Sequence, residues 1–176
     1  MTSNAPGRDR ILGTLRSEEG KGVVRMEDRY DTDIDDLWSA LTDPPRLARW
    51  YGEVEGDLRL GGEFDVRVTD AWEGTGRVEA CEPPRRLLVT MRDADPQPGQ
   101  PDEWVVEAQL TADGGQTVLV VEERGLPLPL LAAYGAGVQI HFENIADLIA
   151  ERELQDTESR WDELLPAYQA LAADVS

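Results

Sequence analysis

His141 is the single histidine of a 176-residue chain that also holds one cysteine, Cys81, so the chemistry open to it is narrow. A Ser-His-Asp relay, a Cys-His pair or a multi-histidine metal centre would each have to be built on this one imidazole. His141 shares a helical stripe with Val138, Phe142, Ile145 and Leu148. That makes it a pocket-edge or core imidazole before a general acid or base, and the first polar group to place in any cavity beneath the stripe. Carboxylates are too numerous for pairs of them to be diagnostic, since 36 Asp and Glu stand against 17 Lys and Arg. Glu122 and Glu123 are the exception, because they end an apolar strand and alternation turns one of them toward the helix. Burial there raises a carboxyl's proton affinity unless Arg67, Arg77 or Arg124 pairs with it. Glu122 joins His141 and Tyr51 as a candidate proton-handling group.

The aromatic residues sit at suggestive places. Trp50 and Tyr51 end a short helix, Trp72 lies in a hairpin, Trp104 on a strand and Tyr134 just ahead of the long helix. Each joins a large apolar face to one hydrogen-bonding atom, which suits a flat hydrophobic ligand and equally suits ordinary packing. Trp72 is the preferred rim residue, because turn chemistry does not account for a Trp between Asp70 and Gly74. With Val138, Phe142 and Ile145 from the stripe, these residues make up the candidate ligand-binding set. Gly74 and Gly76 serve turn and sheet bending, since no helix start follows them to hold a phosphate. Cys81 reads as a buried thiol. No nucleotide fingerprint and no metal-ligand spacing is present, so neither cofactor nor metal is expected.

These side chains need elements to hold them. Val23 to Tyr30 alternates with period two, and Asp33 then caps a helix through Ile34, Leu37, Trp38 and Leu41. Asp43 and Pro44 start a second short helix that runs to about Trp50. From Glu53 to Arg124 strand-length alternations are separated by Gly61-Gly62, Gly74 to Gly76, Pro83-Pro84, the Pro-rich stretch from Asp93 to Asp102, and the hairpin turn Asp113-Gly114-Gly115. A helix spans roughly 130 to 151, with Gln139, Glu143 and Asp147 off its apolar stripe. The tail carries Trp161, Leu164, Leu165, Tyr168 and Leu171, and Pro166 is expected to kink or split it. Residues 1–22 read as a flexible leader, 23–151 as one domain and 152–176 as a helical extension packing on it. The fold class is α+β, a curved antiparallel sheet of about seven strands covered by the long helix, with two short helices after the first strand.

A net charge of −19 argues against nucleic acid as a partner, because a phosphate backbone is gripped by cations. Nothing approaches the roughly 18 apolar residues of a membrane span, and the first ten residues carry no apolar signal core, so a cytoplasmic location is expected.

The stretch Asp31-Thr32-Asp33-Ile34-Asp35-Asp36-Leu37-Trp38-Ser39-Ala40-Leu41-Thr42-Asp43-Pro44, followed by Leu47-Ala48-Arg49-Trp50-Tyr51, resembles the opening of the activator of heat-shock protein 90 ATPase homologue-like family. Gly61-Gly62-Glu63-Phe64, Gly76-Arg77-Val78 and Glu82-Pro83-Pro84-Arg85-Arg86-Leu87 resemble its next strands, and Gly137 to Leu148 its closing helix. The resemblance covers about residues 23 to 151 and implies the START-like helix-grip fold, also called SRPBCC. It implies a small hydrophobic molecule in a cavity between sheet and long helix, with a carrier or polyketide-cyclase-like role. The alternative is a co-chaperone-like or stress-response accessory acting through a protein partner. Whether a reaction is catalysed stays open, and so does a homodimer contact through the tail.

Overall fold

In the computed structural model, which describes residues 10–68 and 72–175, the period-two segments become eight strands. These are β1 (Gly13–Glu18), β2 (Lys21–Tyr30), β3 (Glu53–Gly56), β4 (Glu63–Val68), β5 (Trp72–Glu82), β6 (Arg86–Asp93), β7 (Glu103–Asp113) and β8 (Gln116–Leu126). They form one antiparallel sheet in the order β1-β2-β8-β7-β6-β5-β4-β3. Strands β3 to β8 run as a meander, and β2 joins its far end with Val24 opposite Glu123 and Tyr30 opposite Thr117. Irregular register at Gly22/Val23 and at Val78/Ala80 marks bulges, which bend and twist the ribbon.

Helices α1 (Ile34–Thr42) and α2 (Pro44–Trp50) carry the chain from β2 to β3. The Asp33 carboxylate accepts from the Asp36 amide at 2.8 Å, and Pro44 occupies the first position of α2, where no donor is needed. Helix α3 (Leu131–Ile149) lies across the inner face of the sheet, with Phe142 and Ile145 buried, and Tyr30 Oη donates to the Phe142 carbonyl at 2.9 Å. Helix α4 (Thr157–Ala172) lies on the other side of α3. Gln139, Glu143, Asn144 and Asp147, which lie off the apolar stripe, are therefore buried as well. Each of the four is held by at least one hydrogen bond: Gln139 accepts from the Leu12 amide and from Tyr168 Oη, Arg160 donates to Glu143, Asn144 donates to the Trp50 carbonyl, and Arg152 donates to Asp147 Oδ1.

Two expectations need correction. The segment from 13 to 22 is not a leader: Gly13–Glu18 is an edge strand, which brings the expected sheet of about seven strands to eight. Glu19 and Gly20 supply the left-handed backbone (φ 51° and 80°) for the two-residue turn into β2, and the Gly13 amide is held by Tyr168 Oη at 3.1 Å. Residues 1–9 of the expected leader lie outside the described residues. Pro166 does not split the tail, because α4 runs through it; the carbonyl it leaves without a donor belongs to Asp162, which is exposed and open to water.

Candidate functional site

Inward side chains of β5 to β8 and the apolar stripe of α3 do not meet along their whole length. Between them is a cavity of about 170 Å³, floored by Val78, Val89, Ala108, Leu119 and Val121, and roofed by Val138, Phe142 and Ile145. Leu47, Trp50 and Tyr51 line it from α2 and its C-cap; Trp50 Nε1 donates to the Ala40 carbonyl at 2.8 Å, which leaves the indole only its apolar surface to offer. A second, more open space of about 320 Å³ adjoins it, lined by Trp72, Gln100, Leu130, Tyr134 and Gly137. Tyr51, Glu123, Val138 and His141 line both spaces and form the partition between an inner chamber and an outer vestibule.

Two glycines shape these walls. The Phe64 ring lies over Gly76, where a β-carbon would stand 2.3 Å from its Cζ, and the Trp72 ring covers Gly74 at the same distance. Gly74 and Gly76 thus make room for aromatic rings in addition to any effect on sheet bending.

The partition holds the unusual electrostatics. Burial raises the Glu123 carboxyl from its ordinary 4.5 to about 7. The Trp104 indole N–H opposes that rise from outside hydrogen-bonding geometry: Trp104 Nε1 and Glu123 Oε2 are both buried without a partner among the described residues. Glu123 and His141 keep part of their surface open where they line the cavity, whereas Glu123 Oε2 is covered completely. Burial lowers His141 to about 4, so its imidazole is neutral at pH 7. Its ring meets Tyr51 edge-on at 5.0 Å and Trp50 at 6.1 Å. Burial and then the Glu123 charge raise both the Tyr51 and the Tyr134 hydroxyls, the latter to about 12.

Trp50, Tyr51, Val138, His141, Phe142 and Ile145 converge on the inner chamber, and Trp72 and Tyr134 on the vestibule. Trp72 starts β5 and is fixed by Nε1 donating to Asp93 at 2.8 Å. Trp104 stands behind the vestibule, packed edge-on against Trp72 at 5.6 Å and Tyr134 at 6.0 Å. Glu122 is the correction: it lies on the outer face of the sheet, paired with Arg16 at 3.3 Å and Arg124 at 3.1 Å. Burial alone would raise its carboxyl, but the two guanidiniums hold it below the usual carboxylate range. Glu123, its neighbour, takes the inward position. Gln100 also reaches the vestibule from the Pro-rich connection, where composition gave no reason to look.

The raised carboxyl has a measurable consequence. Between pH 4.5 and about 7 the folded protein keeps a proton on Glu123 that the unfolded chain releases, so this group's contribution to stability falls as pH rises and stays low above 7. Each tenfold difference in proton affinity between the folded and unfolded chain is worth ~1.4 kcal/mol, so Glu123→Gln is expected to stabilise the protein by about 3 kcal/mol at pH 8 and to change little at pH 4. Urea unfolding of both proteins at the two pH values checks it; equal differences at pH 4 and pH 8 would sink it. His141 works in the opposite sense, since the stability of its buried neutral form is present above its ordinary 6.5 and lost as pH falls toward 4.

No helix among the described residues is long and apolar enough to cross a membrane, and no cluster of three His, Cys, Asp or Glu among them could hold a metal ion. No curated protein matches the chain. The crystal structure of CalU16 from Micromonospora echinospora is similar, with 29% identity over 92% of this chain and 96% of that one and a TM-score of 0.74. DynU16, a protein of the dynemicin biosynthetic locus, is 26% identical over 77% of this chain and 50% of its own, with a TM-score of 0.68. Mll3558 from Rhizobium loti shares the fold at 22% identity, over 72% of this chain and 95% of that one, with a TM-score of 0.64. A family model described as activator of Hsp90 ATPase homolog 1-like protein matches residues 31–150. That span runs from the turn before α1 to the end of α3 and takes in every residue around the cavity, so the chain belongs to the activator of Hsp90 ATPase homolog 1-like family.

Proposed function

We propose that the protein encloses a small, mainly apolar molecule between the sheet and α3, as a carrier or as a polyketide-cyclase-like enzyme that orients its substrate. The observation that carries this reading is the inner chamber, about 170 Å³ of space walled almost wholly by apolar side chains, with Glu123, His141, Tyr51 and Thr42 as its few polar neighbours. A dry cavity of roughly 150 Å³ is enough for one benzene ring, so the chamber takes one ring and the vestibule extends the space for a second. Holding a flexible apolar chain in one folded geometry is itself the larger part of what a cyclisation needs. The likeness to DynU16, from a biosynthetic locus, is consistent with such a role.

The test uses 2-naphthylmethanol, a neutral two-ring probe, followed by quenching of the tryptophan fluorescence, together with native mass spectrometry of the protein after incubation with extract of its host. One-to-one uptake of the alcohol, with a small organic adduct that the alcohol displaces, is the expected result. No uptake of probe and no adduct would overturn the reading, and a retained protein in place of a small molecule would favour the co-chaperone-like alternative.

A further inference from the structure

Elsewhere in the fold, covered carboxylates have a cation beside them. Glu143 has Arg160 at 2.7 Å, Asp147 has Arg152 at 3.2 Å, and on the outer sheet face Glu107 has Arg86 at 2.6 Å and Arg124 at 2.9 Å. Glu123 departs from this pattern. Its Oε2 is buried with no hydrogen-bond partner among the described residues, at the boundary between two cavities. Among the described residues, the groups that face it are Tyr51 from the C-cap of α2, Tyr134 and His141 from α3, and Trp104 from β7, none of which is a cation at neutral pH. Arg16 and Arg124, close in register, are on the opposite face with Glu122. Asp93, a further charge near the vestibule among the described residues, is also negative and accepts from Trp72.

We propose that the ligand carries a basic nitrogen, whose ammonium seats against Glu123 at the partition while its apolar or aromatic body occupies the inner chamber and the adjoining part of the vestibule. This rests on the cavity reading above and names its chemistry. An isolated carboxylate out of water is costly, and a cation brought in by the ligand removes that cost where a neutral ligand leaves it. The electron-rich rings of Tyr51, Trp72 and Tyr134 around the same space favour a cation further. The neutral imidazole of His141 does not compete for the carboxylate. An overall charge of −19 draws cations toward the surface before they enter.

The experiment compares 2-naphthylmethylamine with 2-naphthylmethanol, which share one ring system and differ in the cationic group, by fluorescence quenching and calorimetry at pH 6 and pH 8. The amine is expected to bind at least about tenfold more tightly than the alcohol at pH 8. That advantage should fall by about tenfold at pH 6, as Glu123, titrating near 7, takes up its proton. The alcohol should be indifferent to pH. Glu123→Gln, an isosteric change, should bring the amine down to the level of the alcohol at both pH values, whereas Glu122→Gln should leave both probes as they are. Circular dichroism checks that both variants are folded. Equal binding of the two probes, or an amine preference that survives Glu123→Gln, overturns this inference and leaves the cavity reading standing. Failure of both probes to bind overturns the two together.

Discussion

Replacing Arg160 with Met is expected to cost the fold about 3 to 5 kcal/mol, which is a large share of the 5–15 kcal/mol that holds a domain of this kind together. The reason is Glu143, whose side chain is 6% exposed beneath α4, against 11% for Arg160. The guanidinium grips both carboxylate oxygens, Nε on Oε1 at 2.8 Å and an Nη on Oε2 at 2.7 Å. Removing it strands a buried charge, and Gln155 and Gln139, each donating to Glu143 at 3.0 Å, compensate only as neutral donors. The expected cost therefore sits at the lower end of the range. The pair is an anchor more than a source of net stability. Glu143→Gln combined with Arg160→Met, which discharges both sites and keeps one of the two acceptor oxygens, should recover a large part of the loss in urea unfolding. A single variant that loses less than about 1 kcal/mol would mean that the pair behaves as a solvated surface contact.

That anchor explains why α3 can hold a cavity on one side. The helix is fixed from behind by a polar seam: Gln139 donates to the Arg10 carbonyl at 2.8 Å, Tyr168 Oη donates to Gln139 at 2.5 Å, and Asn144 donates to the Trp50 carbonyl at 3.4 Å. Gly135 leaves space for the Tyr168 ring, since a β-carbon there would stand 2.6 Å from it. Contacts on the sheet side can then be incomplete without the helix losing its position.

The period of the sequence reveals the helices and the meander directly, because Trp104, Val106, Ala108 and Leu110 alternate without interruption and Asp113-Gly114-Gly115 ends their strand. It is less able to choose between Glu122 and Glu123. In β8 both Val118-Val120 and Leu119-Val121 are apolar, so either phase of the alternation is satisfied. The phase is set by the hairpin instead. The two-residue turn pairs Asp113 with Gln116, and counting back along the ladder puts Leu110 opposite Leu119, Ala108 opposite Val121 and Val106 opposite Glu123. Opposed residues share a face, so the clean alternation of β7 carries Glu123 inward and Glu122 outward. Strand β1 was hidden for another reason: Gly13 to Glu18 has little alternation of its own and becomes a strand by pairing with the edge of β2. The burial of Gln139, Glu143 and Asp147 depends on α4 lying over them, which no local pattern in α3 encodes.

The cavity reading meets its most direct challenge at Ala108, which is 8% exposed and borders the inner chamber from the middle of the sheet, between Leu87 of β6 and Val121 of β8. Ala108→Phe places a benzene-sized ring where the chamber has about 170 Å³ to receive it. Filling an existing void adds apolar burial without displacing neighbours, so stability should hold or rise by about 1–2 kcal/mol. Uptake of 2-naphthylmethanol should fall on the order of a hundredfold, a loss of about 2.7 kcal/mol, because the same volume cannot be occupied twice. Gln109→Phe, one residue along and exposed on the other face, supplies the control and should leave binding unchanged. A variant that folds well and still takes up the probe would place the binding elsewhere. One destabilised by about 1–3 kcal/mol would show the chamber too tightly closed to admit a ring. The opposed movement of the two readouts, stability held or raised while binding is lost, separates a functional void from an imperfectly packed core, since filling the latter would change stability alone.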